Sequence, residues 1–177
     1  SHAEATALAV VDALDDYADA WIDQRRGACE ATQVRHEQSA EAMDLRMACL
    51  DARLDHFTST VEVLGDADDD VTNKAIETVA SLPGLERCAD TQALRARVPP
   101  PDDPEVARAV ESLDERLTHA AVLEVAGRYD EGLREATAVV DEADDVGHPP
   151  VLARALARRG TLERATGDYG GAEATLK

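Results

Sequence analysis

The stretch Gly127-Arg128-Tyr129-Asp130-Glu131-Gly132 returns forty residues later as Gly167-Asp168-Tyr169-Gly170-Gly171-Ala172, and this return decides the fold. A fixed spacing of that size marks stacked helical hairpins, each too small to bury its apolar face alone. The residue types fit the geometry. Gly127 and Gly167 permit a tight turn between two helices, Tyr129 and Tyr169 are expected to wedge into the hairpin, and the small residues Gly132 and Ala172 let the second helix approach the first. Upstream, Pro104 opens a long helix with Val106, Val110, Leu113, Leu117 and Ala121 on one face, since proline in a first helical turn forfeits no needed donor. Pro99-Pro100-Pro101 followed by Asp102-Asp103 favours a stiff, extended connector. The expected organisation is therefore a helical bundle over 1–98, a connector over 99–103 and helical hairpins over 104–177, the second one truncated.

Within the first 98 residues the periodicity is again helical. Leu8, Val11, Leu14, Ala18, Trp21 and Ile22 recur at three- and four-residue steps and predict one long amphipathic helix from about Ala3 to Arg35, with Gly27 loosening its last turns. Ser39 is a natural N-cap for the next helix. There Met43, Met47, Leu50, Leu54, Phe57, Val61 and Leu64 alternate steps of four and three, a seam suited to shallow-angle packing. Asp66, Asp68, Asp69 and Asp70 fall where a third helix begins, and acidic side chains there cap free N–H groups and suit the helix dipole. That run lacks the glycine and the distal glutamate of a calcium loop. The third helix is expected to bury Val71, Ala75, Ile76 and Val79 before Pro83-Gly84 stops it, and Asp90 caps a short helix carrying Leu94 and Val98.

Composition narrows the function classes. The 177 residues carry 37 acidic against 18 basic side chains, a formal charge of -19, which opposes binding to a phosphate backbone and to anionic lipid. Any charged partner should be basic. Aromatic residues are only 3%, so the core must be Leu, Val and Ala, which favours packed helices over sheet. No stretch approaches the roughly 18 to 20 apolar residues of a membrane-spanning helix, so no membrane insertion is expected. Ser1-His2-Ala3 and the open end Ala174-Thr175-Leu176-Lys177 read as the limits of an excised fragment.

Catalytic signals are weak. His2, His36, His56, His119 and His148 are scattered, no Ser or Cys stands in a nucleophile context, and no glycine-rich phosphate loop or kinase motif is present. No catalytic residue, cofactor site or metal site is expected. Cys29, Cys49 and Cys88 lack zinc spacing. If the first three helices run antiparallel, up-down-up, the segment after Pro83 emerges level with residues 49 to 52, so Cys49 and Cys88 are the pair most able to meet and Cys29 is left over, buried or paired upstream. A Cys49–Cys88 disulfide and two buried thiols are both open at this point. A bridge would indicate an oxidising compartment.

The repeated unit, with Gly160, Gly167, Tyr169, Ala172 and Leu176 at their motif positions, resembles the tetratricopeptide repeat. It departs from that pattern at Leu156, Arg159 and Glu163, has Gly132 for the usual alanine, and has a longer period, which implies lengthened helices. Ala28-Cys29-Glu30-Ala31-Thr32, Glu37-Gln38-Ser39, Asp44-Leu45-Arg46-Met47-Ala48-Cys49-Leu50, Cys88-Ala89-Asp90 and Pro99-Pro100-Pro101-Asp102-Asp103-Pro104 together are similar to the region that follows the catalytic domain in large serine/threonine protein kinases of myxobacteria and their relatives. The resemblance implies a regulatory or partner-binding part of a membrane-anchored kinase, extracytoplasmic if an upstream segment spans the membrane and cytoplasmic otherwise. The expected function is a non-catalytic interaction module binding a protein or peptide through helical repeats. The alternatives are a small-molecule sensor, which needs a cavity in the first bundle, and a structural spacer or dimeriser.

Overall fold

The computed structural model describes residues 2–96 and 98–177. Among these the chain is all-α, with no strand. The helices are α1 (His2–Gln33), α2 (Ala40–Gly65), α3 (Asp69–Ala80), α4 (Thr91–Arg95), α5 (Pro104–Val125), α6 (Tyr129–Val146), α7 (Pro149–Ala165) and α8 (Tyr169–Thr175), with a 3-10 turn at Glu86–Ala89. Several starts are set by caps that satisfy otherwise orphaned N–H groups. Ser39 Oγ accepts from Ala42 N, Asp68 from Val71 N, Asp90 from Ala93 N, and Asp103 from Glu105 N with Pro104 beside it. Gly27 lies inside α1, which runs six residues past it.

The helices form two compact units whose division falls inside α2 and α3. The first holds α1, α2 as far as Thr58, α3 from Ala75, and α4; the second holds Ser59–Lys74 and Val98–Lys177. A single division at the proline run therefore does not describe the chain. The reason is packing: Val63 and Val71 cluster with Val122, Leu123 and Ala126, so the end of α2 and the start of α3 belong with the later helices.

In the first unit the core gathers Cys49, Leu50, Leu85, Cys88 and Leu94, with Tyr17, Trp21 and Leu45 packed against it. Trp21 Nε1 donates to the Leu50 carbonyl at 2.7 Å, and Tyr17 Oη donates to the Pro83 carbonyl at 2.9 Å while its ring stacks on Phe57. Burial pushes the Tyr17 phenol above its ordinary pKa, with a lowering contribution from Arg53 and a raising one from Glu86, so it remains a donor. Cys49 and Cys88 form a disulfide with Cα atoms 5.5 Å apart, and Cys29 is free and exposed.

The face of α1 differs from expectation. Val10, Ala28 and Ala31 are buried and Leu14, Tyr17 and Trp21 half-buried, whereas Leu8, Val11 and Ile22 are exposed. Two apolar stripes run along this helix, and the one that carries both aromatic rings is packed. Likewise Leu54, Val61, Ile76 and Val98 are exposed rather than core, and Val98 lies beyond the end of α4.

In the second unit α5, α6, α7 and α8 each pack on the next, and α5 also touches α7. Val110, Leu113 and Leu117 meet Val139, Val140 and Ala143 of α6 and Val151 and Ala155 of α7. Arginines pin the outside of this stack: Arg116 reaches Glu135 and Glu142, Arg154 reaches Asp114, and Arg158 reaches Glu124. Hydrogen bonds to Glu142 and Glu135 raise the pKa of Arg116 further. Much of the positive charge of this unit is thus spent internally, leaving carboxylates to dominate the remaining surface.

Candidate functional site

The two Gly-x-Tyr turns are built alike. Gly127 and Gly167 adopt φ of 87° and 88°, a left-handed conformation that glycine takes without penalty. The next backbone N–H then folds back in the same way in each: Arg128 N donates to the Leu123 carbonyl at 2.9 Å, and Asp168 N to the Glu163 carbonyl at 2.8 Å. The small residues allow close contact. A methyl placed on Gly132 would stand 3.1 Å from a Leu162 methyl and 3.2 Å from the Ala120 carbonyl oxygen, and one on Gly160 only 2.7 Å from Leu176 Cγ. Ala172 is buried. The tyrosines do not wedge. Tyr169 is 71% exposed, and Tyr129 is also on the exposed side, because each is the first residue of its helix and leaves the turn outward.

The exposed position of Tyr129 puts it at the edge of a cleft of about 480 Å³ in the second unit. Its wall holds four carboxylates, Asp68, Asp70, Asp130 and Glu131, together with Arg128 and Arg134. Arg128 sits at the N-cap position of α6, where its side chain makes no cap. The corresponding residues before α3 and α8 are Asp68 and Asp168, which cap Val71 N and Gly171 N. The Arg128 guanidinium instead reaches Asp66, Asp68 and Glu131 and donates to the Asp66 carbonyl oxygen. The acids from Asp66 to Asp70 thus do more than start a helix, and the signal in the sequence is an arginine at a position where aspartate caps α3 and α8.

Asp68 has its carboxyl held below the ordinary range, first by the Val71 N–H it accepts and then by Arg128. A carboxyl whose folded pKa is depressed stabilises the fold above its unfolded pKa and loses that contribution as pH falls through the folded value. Asp68→Ala is expected to lower the thermal midpoint near neutral pH and to lower it less in strong acid, where Asp68 is protonated both folded and unfolded and keeps only a neutral cap. Thermal denaturation across pH checks this.

The histidines lie apart: His36 follows α1, His56 is in α2, His119 in α5, and His148 precedes α7. Among the described residues no group of three or more His, Cys, Asp or Glu is arranged to hold a metal ion, and no helix is long and apolar enough to cross a membrane. The cleft thus brings four carboxylates, two guanidiniums and a tyrosine ring together on the second unit. Comparison with family models, curated proteins and solved structures finds no match for this chain.

Proposed function

We propose that this chain is a non-catalytic interaction module that binds a basic protein or peptide on its tetratricopeptide-like hairpins, serving as the regulatory region of a bacterial serine/threonine protein kinase. The observation that carries the binding reading is the acidic cleft beside Tyr129. A peptide lying there sets Lys or Arg against Asp70, Asp130 and Glu131 and an apolar side chain on the Tyr129 ring. Much of the selectivity comes from charge, and association is fastest at low salt. The kinase context rests on the sequence resemblance alone.

The test is fluorescence anisotropy with a labelled peptide alternating arginine and leucine, and with its glutamate counterpart. The arginine peptide is expected to bind and to weaken steeply as salt rises. Asp130→Lys with Glu131→Lys is expected to lower its affinity by about tenfold or more, or roughly 1.4 kcal/mol. Equal binding of the two peptides, or an affinity indifferent to both salt and the double substitution, would overturn the reading.

A further inference from the structure

The stripe of α1 left out of the first unit's core has a regular form. Leu8, Val11, Asp15, Ala18 and Ile22 follow one another at steps of three, four, three and four, a seam spanning about 21 Å of helix. Leu8 is 62% exposed, Val11 52% and Ile22 46%. A line of apolar side chains at this spacing is complementary to a second helix, whose knobs enter the holes between them.

We propose that this seam is a docking face for a basic amphipathic helix of a partner protein. Charge selects the occupant. Between His2 and Gln24 the helix carries Glu4, Asp12, Asp15, Asp16, Asp19 and Asp23 and neither Lys nor Arg. Asp12 and Asp19 each directly follow a seam residue on the side away from the packed face, and Asp15 interrupts the seam itself. A second copy of this chain laid along the seam sets carboxylate against carboxylate, which disfavours it. A helix with Leu or Val in its own seam, Lys or Arg along its flank and one Lys or Arg opposite Asp15 satisfies every group, and the single polar position fixes its register. This face is on the first unit and does not depend on the cleft.

The experiment uses the whole chain and two synthetic three-heptad helices with leucine seams, one carrying lysine at the flanking and central seam positions and one carrying glutamate there, with binding measured by calorimetry. The lysine helix is expected to bind at least tenfold more tightly than the glutamate helix. Leu8→Ser with Val11→Ser is expected to lower that affinity about tenfold, and Asp12→Lys with Asp19→Lys to reverse the preference toward the glutamate helix. Asp130→Lys with Glu131→Lys, in the cleft, is expected to change nothing here, which separates this inference from the preceding one. Circular dichroism melts establish that each variant is folded. Equal binding of the two helices, a preference that survives the Asp12 and Asp19 reversal, or a homodimer abolished by Leu8→Ser with Val11→Ser would overturn it.

Discussion

Leu123→Glu is expected to destabilise the second unit by on the order of 4 to 5 kcal/mol. Leu123 is fully buried, and the cluster around it is apolar: Val63, Val71, Val122 and Ala126. A carboxylate there loses its hydration and receives no matching donor from that cluster, so it either stays charged at high cost or takes up a proton. The loss should therefore shrink as the pH is lowered toward the carboxyl range and be largest near neutrality. The position forty residues on supplies the reciprocal case. Glu163 is 5% exposed, one of its oxygens accepts from Arg159 Nε at 2.7 Å, and the other has no hydrogen-bond partner. Replacing a buried, half-satisfied ion with an apolar side chain of similar size commonly stabilises. Glu163→Leu is expected to raise stability by about 1 to 2 kcal/mol. Urea denaturation of both variants checks the pair; a neutral Leu123→Glu would show that this cluster admits water.

Loss of the Cys49–Cys88 bridge is the second large effect. The two cysteines are 39 residues apart, and closing a loop of that length in the unfolded chain is worth about 4 kcal/mol on the loop-entropy model. The bridge is placed in the core of the first unit beside Leu50, Leu85 and Leu94, so both sulfurs keep apolar surroundings once it is cut. Replacement of both by alanine adds a small cavity term. The double variant is expected to unfold at markedly lower urea than the oxidised wild type, and wild type unfolded and refolded with reductant should move the same way. Coincident midpoints for the oxidised and reduced protein, with thiols counted in each, would contradict it.

How much of this was legible in the residues depends on the range of the interaction concerned. Helix starts at Ser39, Asp90 and Pro104 and the turns at Gly127 and Gly167 could be read because a cap, a first-turn proline or a turn glycine is decided within a few positions, whereas the Asp103 cap comes from the structure. The face of α1 could not. Leu8-Val11-Ala18-Ile22 and Val10-Leu14-Tyr17-Trp21 have the same period, and long-range contacts of Tyr17 and Trp21 distinguish them: their bonds to Pro83 and Leu50, the Phe57 stack and the core they pack on. The cleft was legible in part: Tyr129 stood out through its repetition at Tyr169, but Asp68 joins it through long-range contacts, its own pair with Arg128 sixty residues on and the packing of Val71 on Val122 and Leu123.

The assignment of Ser59–Lys74 to the second unit has a consequence for the order of events during synthesis. Cys49 and Cys88 are both available once the chain has emerged as far as Cys88, so the covalent ring they define can close before the later helices are made. That ring encloses Val63 and Val71, whose apolar partners Val122, Leu123 and Ala126 are translated later. A nascent chain oxidised at that stage presents a tethered hairpin with two valines awaiting burial, and a product terminated at the proline run would keep them exposed permanently. Closing the ring therefore does not by itself bury Val63 and Val71, whose cluster is completed only by the later helices.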